Sequence, residues 1–257
     1  MRASWNDFRV SEPEKYELKK VSYGAFPEQE IYLALPKGKK NFPVVVWYHG
    51  GGLTGGEREC PFRLWNGEYA TAEVRYRLSG SQFKGTDSLQ DAAKALAWVI
   101  EHIASCGGDP AKIFVGGMSA GAYLAAMVGM APHLLGESGH DFRKLAGLLV
   151  ISGQMTTHFQ IKEDLEYERR MFRPVIDELA PLYYASPEVP PCIFVTGDFG
   201  LDMPARAEEN AFLAATLRVL GHKDAEHFSL RGHDHGGAFE SCDYLILRFM
   251  DRILKGL

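Results

Sequence analysis

The chain is expected to fold as a single α/β domain around a mostly parallel central sheet, with helices on both faces and antiparallel strands at its N-terminal edge. Three observations lead there. Apolar runs at Val44 to Tyr48, Ala70 to Tyr76, Ile113 to Gly116, Leu145 to Ile151, Cys192 to Thr196 and Glu226 to Leu230 are separated by helical patterns, the β-α alternation of a parallel sheet. Pro43-Val44-Val45-Val46-Trp47-Tyr48 is continuously apolar, as a strand buried on both faces must be. Tyr16 to Tyr23 and Glu30 to Leu35 instead alternate polar and apolar residues, the mark of strands with one wet face.

Among the helices, Asp87 to Ile103 places Leu89, Ala92, Ala93, Leu96, Val99, Ile100 and Ile103 on one face, and Gly107-Gly108-Asp109-Pro110 reads as the turn that ends it. Ala122 to Met130 reads as a small-residue helix, and Ala238 to Leu254 as the closing one. Residues 1 to 15 read as a polar leader. Only 153 to 185 breaks the alternation: it is long, charged in its middle and carries Phe159, Tyr167, Phe172, Tyr183 and Tyr184, which predicts a short cap insertion over a site.

Composition bounds the partners. With 257 residues, 46% of them hydrophobic and 24% charged, there is material for one large core. Net charge is −5, and basic residues gather in nothing longer than Lys37-Gly38-Lys39-Lys40, which argues against nucleic acid or an anionic membrane as partner. No apolar run is long enough to span a bilayer, and the first residues lack the basic-then-apolar pattern of a secretory signal, so a cytoplasmic chain is expected. Cys60, Cys106, Cys192 and Cys242 are widely spaced and offer neither a zinc signature nor a disulfide framework. Composition says nothing of oligomeric state.

Chemistry concentrates in three segments. Gly117-Met118-Ser119-Ala120-Gly121 follows the apolar Ile113-Phe114-Val115-Gly116, so Ser119 lies on a strand-to-helix turn at the carboxyl end of a strand, where such sheets build their sites. His49-Gly50-Gly51-Gly52 directly follows Tyr48, and its glycines free backbone N–H groups to face a developing negative charge. Gly232-His233-Asp234-His235-Gly236 precedes the last helix.

These segments, in this order, resemble the α/β-hydrolase superfamily, and within it the small esterases and carbohydrate (acetyl) esterases with an H-G-G-G oxyanion loop, which are related to kynurenine formamidases. The likeness runs from about residue 28 to residue 250, and the Gly107-Gly108-Asp109-Pro110 segment before Ile113 adds to it. The resemblance implies an α/β-hydrolase fold and a serine carboxylesterase that removes a short acyl group, carbohydrate acetyl groups among the candidates, from a small-molecule or carbohydrate ester. A formamidase-type amidase is the alternative within enzymes, and a catalytically inactive hydrolase fold used for binding is the alternative outside them.

Acyl transfer needs a nucleophile, a base, a group that orients the base, and donors for the oxyanion, and it needs neither metal nor organic cofactor. Ser119 is the candidate nucleophile, and the N–H of Ala120 follows from the turn as one oxyanion donor. By resemblance, Gly51 and Gly52 supply the others. His235 is favoured as base over His233, two residues earlier, whose side chain would point the opposite way in an extended loop. An H-x-H metal site lacks a third ligand with telling spacing. For the orienting acid, chain order points into Gly197-Asp198-Phe199-Gly200-Leu201-Asp202-Met203-Pro204, where Asp202 is favoured and Asp198 stays open as the alternative. Asp202 also fits a helix N-cap before Pro204.

The remaining candidates have plain readings. His49 is expected to pin the glycine loop; His102, His133, His140, His158, His222 and His227 are expected on the surface or in packing. Arg75, Arg77 and Asp91 are expected to form a structural ion pair. Tyr123 and Gln154 are candidates for a pocket wall, and packing alone accounts for both.

Overall fold

The computed structural model describes residues 13–168, 171 and 173–257. Eight strands form one sheet: β1 (Tyr16–Ser22), β2 (Glu30–Pro36), β3 (Phe42–Tyr48), β4 (Ala70–Val74), β5 (Gly108–Met118), β6 (Gly147–Ile151), β7 (Cys192–Thr196) and β8 (Ala225–Ser229). Their order is β1-β2-β4-β3-β5-β6-β7-β8. β1 pairs antiparallel with β2, and β2 with β4; every other pairing is parallel. The strand expected over Leu145 to Ile151 starts two residues later, and β5 starts five residues before the expected Ile113.

The helices are α1 (Gly85–His102), α2 (Ala120–Met130), α3 (Pro132–Gly136), α4 (Phe159–Asp164), α5 (Arg206–Val219), α6 (His235–Ser241) and α7 (Asp243–Leu254). Alternation along β3 divides the core: Val44, Val46 and Tyr48 face one side with α1, α2 and α5, while Val45 and Trp47 face the other with Ile246, Phe249 and Met250 of α7. All of these side chains are buried, each worth about 1.5–3 kcal/mol for the aliphatic ones. Every residue of α2 is buried, as a helix apolar on all sides must be.

Four expectations need correction. β2 has no wet face: it lies between β1 and β4, and Ile31 to Pro36 are all buried, so only β1 is the edge strand that the alternation predicts. Gly107-Gly108-Asp109-Pro110 is not a four-residue turn: Gly107 alone makes it, at φ 93°, after a 3₁₀ turn over Ile103–Cys106, and Gly108 already belongs to β5. Only glycine takes that φ without strain, so the chain reverses in a single residue. The closing helix is two helices that meet at Cys242. Arg75 pairs with Glu30 at 2.8 Å and not with Asp91, because Glu30 opens β2 beside the end of β4. The other half of that ion pair stands as expected: Arg77 grips buried Asp91 with two bonds of 2.8 and 2.7 Å.

The stretch over 153 to 185 holds α4 and a 3₁₀ turn over Pro181–Tyr184. Thr157, His158, Ile161 and Lys162 are buried against the body of the protein. Asp164 at the end of α4 accepts from Ser79 Oγ and from the Gly85 amide that opens α1, which straps the insertion to the fold. Among the described residues no helix is long and apolar enough to cross a membrane.

Candidate active site

Ser119 sits between β5 and α2 at φ 55°, a left-handed backbone that costs a non-glycine residue energy and that clusters at functional positions. Its neighbours explain how the turn closes. A Cβ on Gly121 would lie 2.0 Å from the Tyr48 carbonyl oxygen, and one on Gly117 would lie 2.4 Å from the Gly121 carbonyl carbon, so both glycines are required for α2 to start against β3. The Ser119 N–H donates to the Ile151 carbonyl at 2.8 Å and fixes the turn to the end of β6. Ser119 is partly exposed.

Across the turn, the glycine run forms a loop held from below. His49 is buried and stacks on Tyr76 at 4.3 Å, and the Tyr76 hydroxyl donates to the His49 carbonyl at 2.7 Å. Burial pushes the His49 imidazole down to about 4, so it is neutral and structural, the role expected of it. The Gly50 N–H donates to Glu59 at 2.8 Å. The Gly51 carbonyl accepts from the Thr54 and Gly55 amides at 3.1 and 3.0 Å. The N–H groups of Gly51 and Gly52 have no partner among the described residues, and that of Ala120, at the start of α2, has no intrahelical acceptor.

His235 is the first residue of α6. Asp234 caps that helix by accepting from the Gly237 amide at 2.8 Å, which fixes where the imidazole starts. His235 Nδ1 meets Asp202 Oδ1 at 2.6 Å. A carboxylate only accepts, so Nδ1 holds the proton and in the neutral ring Nε2 keeps its lone pair. The Asp202 carboxylate is 1% exposed. It also accepts from Ser152 Oγ at 2.6 Å and from the Gly197 and Met203 amides at 2.8 and 2.7 Å. Burial pushes this carboxyl up, but the bonds from His235, Ser152 and the two amides outweigh it and hold it below the usual carboxylate range.

The structure therefore brings the His235 imidazole together with Asp202 and not with Asp198. Asp198 is partly exposed and accepts from the Gly232 and Gly200 amides at 2.9 and 3.2 Å, stitching the loop after β7 to the loop after β8. Nor is Asp202 an N-cap: α5 begins at Arg206, and its cap position is Ala205 at φ 63°. His233 turns away, with Nδ1 3.2 Å from the Arg231 carbonyl. Tyr123 is buried in α2 and donates to the Leu179 carbonyl at 2.7 Å. Cys60 is buried. Sequence reasoning passed over Ser152 and Glu59; the signal for Ser152 was its place just past the carboxyl end of β6.

Strand β5 leads to Ser119, β7 leads to Asp202 and β8 leads to His235, so all three follow the carboxyl ends of parallel strands in one sheet. With a truncated carbohydrate esterase from gut microbiota the structure superposes at a TM-score of 0.76, covering 94% of this chain and 96% of that one at 16% identity. The chain has the α/β-hydrolase fold. In sequence, residues 30–147 of the chain match the BD-FAE family model. It is 39% identical over 98 residues to the carboxylesterase NlhH of Mycobacterium tuberculosis, and 34% identical over 140 residues to the para-nitrobenzyl esterase of Bacillus subtilis. Those matches take in 36% and 46% of the hydrolase-fold chain but only 30% and 29% of the relatives' own lengths.

Proposed function

We propose that this α/β-hydrolase is a serine carboxylesterase cleaving short-chain acyl esters, acetyl groups on carbohydrates among them. One observation carries the reading. A buried carboxylate with four hydrogen bonds holds the Nδ1 side of an imidazole at 2.6 Å, at the same carboxyl end of the parallel strands as a serine in a strained turn. The names of the relatives, carboxylesterase and para-nitrobenzyl esterase, support ester bonds as the target.

In this reading Ser119 Oγ attacks the ester carbonyl carbon while His235 Nε2 takes the hydroxyl proton. The N–H groups of Gly51, Gly52 and Ala120 hold the oxyanion, each donor worth about 3 kcal/mol in the transition state. Collapse breaks the bond to the leaving alcohol, which receives the proton from His235 and leaves an acyl group on Ser119. Water, deprotonated by His235, repeats the attack and frees the acid. Asp202 keeps the imidazole in the tautomer both halves need and stays ionised throughout.

Turnover of p-nitrophenyl acetate and labelling by a fluorophosphonate probe test the assignment. Ser119→Ala is expected to lose both, and activity at the wild-type level in that variant overturns it. Acetylated sugars assayed beside N-formylkynurenine separate the esterase from the formamidase, and faster release of formate than of acetate would favour the latter.

A further inference from the structure

Next to the site lies a cavity of about 180 Å3 whose wall joins two of its segments. Phe159 of α4 contributes to this wall, and its ring lies 3.3 Å from where a Cβ on Gly52 would be. Met203, the residue after Asp202, contributes the other side. Between them the wall presents Gln154, Lys162, Arg206 and Glu209. Ser119 and His235 are not part of it, and Phe159 beside Gly52 and Met203 beside Asp202 are what connect it to the site.

Arg206 is 4% exposed, yet the protein does little to satisfy it. Its Nε is buried without a hydrogen-bond partner, and Nη2 makes only a 3.5 Å contact to Gln154 Oε1. Gln154 Oε1 already accepts from the Phe159 amide at 3.1 Å. Lys162, fully buried, is a second cation on the same wall, bound to the Arg173 carbonyl. Glu209 is an anion that faces both, but its oxygens accept from the Met155 and Thr156 amides and the Thr156 hydroxyl. His158, buried against Phe159, is held neutral by burial and by these two cations, and its Nε2 also lacks a partner. Asp202 also faces Arg206, and Asp177 faces Lys162. Asp202 is committed to His235, Ser152 and two amides, and Asp177 to Thr157, Tyr167 and the Leu179 amide, so among the described residues no carboxylate hydrogen-bonds either cation. A buried guanidinium N–H left without an acceptor is costly until one arrives.

We infer that this cavity binds a carboxylate carried by the ester substrate, with Arg206 as its principal anchor and Lys162 supplying added positive charge. The inference rests on the esterase reading above and names its substrate class: an ester bearing a second, ionised carboxyl group. A guanidinium fork matches the planar carboxylate, and the Phe159, Met203 and Pro204 side chains suit a short apolar link between that group and the scissile bond. The carboxylate can belong to the acyl half or to the alcohol half, and one pair of substrates addresses each.

The test compares kcat/KM for monoethyl succinate with ethyl succinamate, and for 4-acetoxybenzoate with 4-acetoxybenzamide, each pair differing only by carboxylate against carboxamide. One pair is expected to favour the carboxylate by about tenfold or more, mainly through KM. Arg206→Gln should bring that ratio close to one, and Arg206→Lys should keep part of it. Ratios near one in the wild type, or a ratio that survives Arg206→Gln, overturn the inference while leaving the esterase reading in place. Thermal melts and fluorophosphonate labelling report whether each variant is folded. Should Arg206→Gln fail to fold, competitive inhibition of the wild type by succinate but not by succinamide supports the inference, and equal inhibition defeats it. If no ester is cleaved and the probe labels nothing, the esterase reading falls, and calorimetry with succinate then decides the anion site: no saturable binding ends it.

Discussion

Ser152 donates its hydroxyl to Asp202 Oδ2 at 2.6 Å, while His235 occupies Oδ1 at the same distance. The carboxylate is thus gripped from two sides, by the end of β6 and by the start of α6. Ser152 holds this position at φ 47°, the second serine in the site with a left-handed backbone. Two strained residues within one site are tolerated because the parallel strands β5 to β7 over-determine them.

Removing that grip should act through geometry. Ser152→Ala is expected to lower kcat by about tenfold, the cost of one hydrogen bond to a charged group, with KM changed far less. Steady-state kinetics on p-nitrophenyl acetate read the split, and a rise in KM at constant kcat would place Ser152 in substrate binding instead.

The two aspartates of the loop after β7 should separate sharply. Asp202→Asn is expected to cost about 10,000-fold in kcat, since the amide favours the wrong imidazole tautomer. Asp198→Asn loses only support for two backbone amides at the surface, and less than about tenfold is expected. The reverse ranking would move the orienting role to Asp198.

The strand-to-helix turn gives a folding prediction. Gly121→Ala puts a methyl group against the Tyr48 carbonyl, where only backbone can yield, and a loss of several kcal/mol is expected. Gly136→Ala in α3 meets nothing within 4 Å and should be neutral or gain up to about 1 kcal/mol. Urea denaturation of both variants beside the wild type measures the contrast.

Acid should weaken the fold well before the carboxylates titrate. The His49 pKa falls from its ordinary 6.5 to about 4 in the folded chain, because burial disfavours the charged ring. The unfolded chain therefore takes up a proton between those values that the native one refuses. Stability is full above pH 6.5 and falls as pH drops toward 4, by up to about 1.4 kcal/mol per pH unit for this residue. His158 shifts in the same direction. Unfolding measured from pH 7.5 to 4.5 should show that slope, and a flat profile would place both rings in contact with water.

Much of this was readable from residues alone, for physical reasons. The continuous apolar run before His49 and the alternation in Tyr16 to Tyr23 mark how many faces a strand buries, so sheet class and edge followed directly. Glycines in the turn around Ser119 are dictated by closeness to Tyr48, and that constraint leaves a local signature. Asp202 was readable only as one of two, since its partners Ser152 and His235 come from other strands. Arg206 carried no local signal: an arginine in the first turn of α5 looks like a solvated one until Gln154 and Lys162 are folded around it. The break at Cys242 went unseen as well, because an apolar helical period continues through it.

Helix α2, which begins at the residue after Ser119, has no face toward water. It cannot fray or rebuild by itself, so the position of the Ser119 hydroxyl is bound to the integrity of the whole interior. On heating, loss of activity and loss of secondary structure should then trace a single shared curve, with no temperature window in which an intact scaffold has already gone silent.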